Sequence, residues 1–332
     1  MSYYTRSLAE RVTIHHERLR GQKGGDKRKP TAPLLFRFKD IEAATGGLVA
    51  ETLVRRDGLG CLYTANLEEG KPVIVKRGIL GRRFWEGQLL LDNELQVLSR
   101  LRSNRFVNLI GLSADSNEKL LVVEFSANGS LFDVIHGGSV PLSWPLRVHL
   151  ALQTAQGIRA LHLASPPIIH RDIKSANVWI DAKWNAKLGG FGFALQVPAR
   201  GPIPRCPKES VSFLDPDYQT AGHLCTKNDV YCFGALLLEI ITGRKVTDVH
   251  HNRASVVDWA LPLIRKGRIL GICDPRIRPS VQNGKAVKDM AEIAALCLRV
   301  CSPRPPSMAD IADQLKVIST KLPLPPWAQN QN

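Results

Sequence analysis

The sequence predicts an α+β chain of two lobes, the first an antiparallel sheet with one helix and the second mainly helical. Three observations carry this. Short aliphatic and β-branched runs crowd residues 62–124. Leucines recur at helical spacing once among those runs, at 91, 95, 98 and 101. Beyond Asn128-Gly129 the apolar residues recur every three or four places over long stretches. With 332 residues, 44% apolar and 23% charged, the chain has an ordinary globular composition and can bury one large or two modest cores.

Residues 1–33 read as a basic flexible leader. Arg18, Arg20, Lys23, Lys27, Arg28 and Lys29 cluster there around three glycines. Two readings are open: a solvated segment, or attraction to an anionic membrane surface, worth about 1 kcal/mol per basic residue. The globular pattern starts at Leu34 and runs to about residue 320, with the first lobe at about 48–124 and the second at about 127–320. Leu62-Tyr63-Thr64-Ala65, Pro72-Val73-Ile74-Val75-Lys76 and Leu120-Leu121-Val122-Val123-Glu124 read as strands. Ser143 is placed to cap a helix with Leu146, Leu150, Thr154, Ile158 and Leu161 on one face. Residues 229–241 are apolar nearly all round, which predicts a central buried helix ending at Gly243. Ser307 with Asp310 forms a capping box for a last helix through Ile311, Leu315 and Ile318. Residues 321–332 are a Pro-rich tail that favours an extended polyproline form.

Bulk properties exclude several classes. The net charge of +15 is scattered outside the leader, which argues against a nucleic-acid face. No run of about eighteen apolar residues exists to form a transmembrane segment. The N-terminus has no apolar secretory signal, and Ser2 rules out myristoylation. Seven cysteines without paired CxxC spacing read as reduced thiols, so a cytoplasmic chain is expected.

Chemistry enters with His170-Arg171-Asp172-Ile173-Lys174-Ser175-Ala176-Asn177, which resembles the catalytic loop HRDxKxxN of protein kinases. In that loop an Asp orients the substrate hydroxyl and accepts its proton, and an Asn five residues on reaches a magnesium ion. The resemblance therefore implies catalytic roles for Asp172 and Lys174 and a metal ligand in Asn177. Lys174 is the choice of serine/threonine kinases. Val73-Ile74-Val75-Lys76 resembles the strand whose Lys holds the α and β phosphates. Glu94 lies on the inward face of the leucine-bearing helix, where a carboxylate needs a cation, and Lys76 is the family's partner for it. Residues 120–131 resemble the hinge of receptor-like kinases, which implies Val123 as gatekeeper and the backbones of Glu124 and Ser126 toward adenine. Val54, Gly58, Gly60 and Leu62 take nucleotide-binding positions in the place of the glycine loop. Phe36-Arg37-Phe38-Lys39-Asp40-Ile41-Glu42-Ala43-Ala44-Thr45, Leu214-Asp215-Pro216-Asp217-Tyr218 and Asp229-Val230-Tyr231-Cys232-Phe233-Gly234 resemble further motifs of the same family. The chain is thus similar to receptor-like cytoplasmic kinases of the Pelle-like kind, and the fold implied is the two-lobed kinase fold with ATP and Mg2+ as cofactors.

Several positions depart from the family pattern. In Lys187-Leu188-Gly189-Gly190-Phe191-Gly192, Gly190 stands at the place of the metal-chelating Asp. No side-chain oxygen remains there for a hard cation, and such a loss costs on the order of a thousandfold in rate. Arg55 and Asp57 fall at the first two glycine positions of the loop, and Gly58 relieves this only if the loop slips by one. Ile74 replaces the small residue roofing the adenine and overfills that slot, or else points into a rearranged lobe core. Residues 193–209 contain no Ser, Thr or Tyr but four prolines, leaving Ser210 and Ser212 as nearby phosphate acceptors for Arg171. Arg304 is displaced by one from the position that would pair with Asp217, so either it shifts by one to serve or that ion pair is absent.

Three functions compete on these residues. One is a pseudokinase acting as scaffold or allosteric partner, with weak ATP and Mg2+ binding and a receptor kinase or immune receptor as partner by analogy. A second is an active serine/threonine kinase working through Asp172, Lys174, Asn177 and Lys76. The third is a basic module for membranes or nucleic acid. The convergence of Arg55, Asp57, Ile74 and Gly190 on one site favours the first.

Overall fold

The computed structural model describes residues 33–57, 60–67, 70–113, 118–197, 225–248, 254–299, 306–322 and 324. The basic cluster from Arg18 to Lys29, Gly58, Ser210, Ser212, Asp217, Arg304 and nearly all of the Pro-rich tail lie outside them.

The first lobe is a six-stranded sheet of β1 (Leu34–Phe36), β2 (Leu53–Asp57), β3 (Gly60–Asn66), β4 (Pro72–Gly78), β5 (Leu109–Ser113) and β6 (Leu120–Glu124), ordered β1-β5-β6-β4-β3-β2. All neighbouring pairs are antiparallel except β1 with β5, where Leu34, Leu35 and Phe36 pair Gly111, Leu112 and Ser113 in parallel. This edge strand and helix α1 (Phe38–Ala44) extend the lobe ahead of residue 48. Ile41 of α1 packs with Leu48, Tyr63, Val73, Val75 and Val122 on the outer face of the sheet. The alternate residues Leu62, Ile74, Leu121 and Val123 face the other way and join a larger core, which α2 (Phe84–Leu98) covers through Leu91, Leu95 and Leu98.

Strand β2 carries a bulge between Leu53 and Arg55, since Leu53 pairs Tyr63 while Arg55 pairs Leu62. Two residues apart in a regular strand share a face; the extra residue at the bulge separates them. Leu53 therefore joins the outer cluster and Arg55 turns to the inner face with Leu62. Val54, expected toward a nucleotide, is 44% exposed at this bulge.

The second lobe holds α3 (Leu131–His136), α4 (Trp144–His162), β7 (Ile168–Ile169), β8 (Val178–Ile180), β9 (Ala186–Leu188), β10 (Leu195–Gln196), α5 (Lys227–Thr242), α6 (Val256–Arg265), α7 (Val281–Cys297) and α8 (Met308–Lys321). Helix α5 is buried on nearly every face and ends at Gly243, whose φ of 65° is the left-handed cap conformation that glycine adopts without strain. The Ser307–Asp310 capping box is present on α8. Ser143 precedes α4, but its hydroxyl makes no capping bond; Pro145 in the first turn presets the helix instead. Among the described residues, no helix is long and apolar enough to cross a membrane, and Cys61, Cys225, Cys232, Cys273 and Cys297 are free thiols.

Candidate active site between the lobes

The loop joining β7 to β8 is held from below by the N-terminal turn of α5. Asp229 accepts hydrogen bonds from the backbone N–H groups of His170 and Arg171, both at 2.8 Å, and from His162 Nε2 at 2.9 Å. Burial pushes the Asp229 carboxyl up, but the bonds and charges of His162 and His170 outweigh it and leave its pKa lowered. Two backbone donors on one carboxylate explain how Arg171 sustains a left-handed φ of 68°, a strained conformation for a non-glycine residue. The His170 ring accepts from Asp172 N at 3.2 Å and donates to Gly189 O at 3.0 Å. One nitrogen accepting and one donating describes neutral imidazole, and burial lowers its pKa accordingly.

This loop brings Asp172, Lys174 and Asn177 together. Asp172 Oδ2 lies 2.7 Å from Asn177 Nδ2 and 3.0 Å from Lys174 Nζ, and Asn177 Nδ2 also donates to Asp172 O at 2.8 Å. Ser175 donates to Glu239 Oε1 of α5 at 2.9 Å, which ties the loop to the central helix a second time. Arg171 Nη1 donates to Phe193 O at 3.2 Å, at the start of the segment that offers no Ser, Thr or Tyr for a phosphate.

From the first lobe, β4 presents Lys76, which donates to Glu94 Oε1 of α2; both side chains are nearly buried. The same helix carries Asn93, whose Nδ2 lies 3.2, 2.9 and 2.8 Å from the carbonyls of Phe191, Gly192 and Ala194. Gly60 has a backbone that passes too close to β4 for any side chain, since a Cβ would stand 2.1 Å from Arg77 O. Gly190 has φ 78°, and a Cβ there would meet the Asn177 side-chain amide at 2.6 Å.

Arg55, Gly60, Leu62, Lys76, Glu94, Asn177 and Gly190 line one cavity of about 60 Å³. Val54, Glu124 and Ser126 lie outside it. Glu124 uses both carboxylate oxygens on neighbours, accepting from Lys187 Nζ at 2.5 Å and Asn108 Nδ2 at 2.8 Å, while Ser126 is buried. Ile74 is 3% exposed opposite Val123 on the inner face of the sheet, within the larger core. Asp181 accepts from the backbones of Lys183 and Asn185 in the turn after β8. Sequence reasoning passed over Asn93 and Trp179. The second had a signal, standing two residues after Asn177 on a strand that faces the cleft.

The protein kinase domain family matches residues 58–313. A serine/threonine-protein kinase-like protein of Arabidopsis thaliana is 45% identical over 293 residues, 85% of this chain and 80% of that protein. The probable serine/threonine-protein kinase PBL26 of the same plant is 34% identical over 318 residues, 93% of this chain and 76% of that one. A nodulation receptor kinase of Pisum sativum is 34% identical over 289 residues, 85% of this chain but 31% of the receptor. Protein kinases in general use ATP and Mg2+. With the two lobes, the loop from His170 to Asn177 and the Lys76–Glu94 pair already in place, these matches make the chain a member of the protein kinase family, with a kinase domain of the receptor-like cytoplasmic kinase type.

Proposed function

We propose that this kinase domain transfers phosphate weakly or not at all and serves as a scaffold or allosteric partner for other signalling proteins, a receptor kinase or immune receptor by analogy with its relatives. The observation that carries this reading is the meeting of Arg55, the Asn177 amide and a residue 190 without a side chain beside Lys76 and Glu94 in one cavity. Arg55 enters this cavity from above and the Asn177 amide fills the space beside Gly190.

The donor set points the same way. A magnesium ion takes near-octahedral oxygen ligands, commonly with one or two carboxylates. Asn177 offers one neutral oxygen, residue 190 offers none, and the Asp172 and Glu94 carboxylates are engaged by Lys174, Asn177 and Lys76. Among the described residues, no three His, Cys, Asp or Glu side chains cluster as metal ligands. These residues do not fit a magnesium ion held between phosphates.

A second reading has its own support. The Asp172–Lys174 contact of 3.0 Å and the Lys76–Glu94 pair are what an active serine/threonine kinase requires. Titrating purified protein with magnesium–ATP by calorimetry, with single-turnover transfer to a basic protein, separates the two. Dissociation constants above the millimolar range and no transfer are expected; tight binding with transfer would establish the active kinase.

The leader adds a location to this reading: its basic cluster would hold the protein peripherally at an anionic membrane face such as the plasma membrane's.

A further inference from the structure

We propose that Arg55 is an internal ligand of the cleft, a clasp that joins the lobes in the place of nucleotide. This deepens the preceding reading and rests on it in one respect, that nucleotide does not compete for the cleft. Arg55 Nη1 donates to Ala176 O, across 121 residues of chain and from one lobe to the other. Its guanidinium carbon lies 5.3 Å from the ring centroid of Trp179, within reach of a cation–π contact. Trp179 is 5% exposed, so the indole is a fixed platform and the stack is largely desolvated.

The placement is built by three features of the backbone. The bulge after Leu53 turns residue 55 to the inner face. Ala176 sits in the short turn Ser175–Asn177, whose neighbours are fixed by Glu239 and Asp172, so its carbonyl is a rigid acceptor. Trp179 follows on β8, paired with Lys187 of β9. Other contacts tether the lobes, including Lys187 with Glu124 and Asn93 with the carbonyls after Gly190. Arg55 differs because its side chain lines the cavity that also holds Lys76 and Glu94.

The chemistry calls for arginine. A planar guanidinium stacks on the indole with its face while an N–H donates along its edge; an ammonium does not combine the two. Charge alone is therefore insufficient, and Arg55→Lys should open the clasp nearly as fully as Arg55→Gly.

Hydrogen exchange followed by mass spectrometry on the full chain tests this. In Arg55→Gly and Arg55→Lys, exchange in residues 175–180 should accelerate on the order of tenfold, although the substitution lies in the other lobe. In Trp179→Leu, residues 53–57 should accelerate similarly. The double variant Arg55→Lys with Trp179→Leu should exchange little faster than either single one, since both break one contact. Arg55→Lys exchanging at the parent's rate in residues 175–180 would overturn the clasp, as would additive effects in the double variant. Should Arg55→Gly fail to fold, the other two variants still decide. Phosphate transfer measured on the same parent sample tests the impaired reading separately, because it leaves the comparison between parent and variants intact.

Discussion

The side-chain amide of Asn177 stands where a side chain on Gly190 would begin: Cγ, Oδ1 and Nδ2 all lie 2.6–2.7 Å from the position of a Cβ on residue 190. The amide is not idle in that position, because Nδ2 donates to both the carboxylate and the backbone oxygen of Asp172. The Asn177 amide thus occupies the space that a side chain at 190 would need.

Restoring the carboxylate alone is therefore expected to fail. Gly190→Asp must displace Asn177 and adopt a φ of 78°, at a cost of roughly 1–3 kcal/mol. It leaves Arg55 lining the cavity and Ile74 at the position that the resemblance gives to the adenine roof. Single-turnover transfer from labelled ATP should stay at background in Gly190→Asp and rise only when Arg55→Gly and Ile74→Ala are added, with strongly non-additive effects. Full activity in the single variant would show that neither Arg55 nor Ile74 obstructs nucleotide.

The Lys76–Glu94 pair makes a sharp stability prediction. Both side chains are nearly buried, so Lys76→Met leaves a carboxylate without its cation in the interior. Removal of one partner of such a pair costs about 3–5 kcal/mol. Combining Lys76→Met with Glu94→Gln should recover part of that loss. Guanidinium denaturation measures both, and a parent-like midpoint for Lys76→Met contradicts the claim.

Stability should fall as the solution is acidified from neutrality. Burial holds the pKa of His170 below its ordinary 6.5, so below that pH the unfolded chain binds a proton that the folded protein does not. The loss is about 1.4 kcal/mol per pH unit, continuing until the folded imidazole titrates. Asp229 adds to the trend in stronger acid: its folded pKa lies below the ordinary 3.8, so the stability present above 3.8 is lost as pH falls through the folded value. Denaturant midpoints across roughly pH 7.5 to 5.5 should slope downward toward acid, and His170→Gln should flatten the slope. An equal slope in the variant would assign the effect to other groups.

Peripheral membrane attraction depends on the leader. Co-sedimentation with phosphatidylserine vesicles should decline as salt rises, because exposed charge is screened beyond about 10 Å at 0.1 M ionic strength. Deleting residues 1–33 should abolish it. Equal sedimentation after deletion would leave the leader as a solvated segment.

Much of this molecule was legible residue by residue. The α+β order of elements, Glu94 on the inward face of α2, the end of α5 at Gly243 and the Ser307 cap all follow from spacings of two to four residues, or from the positive φ that glycine alone tolerates cheaply. The loop from His170 to Asn177 was legible through its resemblance to the kinase catalytic loop, and its residues act on one another over five positions. Arg55 was read as a lost glycine, a lesion with no further role, and Val54 as the cleft-facing residue. Only the tertiary structure decided otherwise, because a single bulge reverses which residue of β2 faces inward and no periodicity announces it. The partners of Arg55 and of Asn93 stand 121 and about 100 residues away, and the packing of the two lobes alone brings them within hydrogen-bond reach. Local spacing specifies which face a side chain takes within an element; what it meets across a cleft depends on the closure of one lobe on the other.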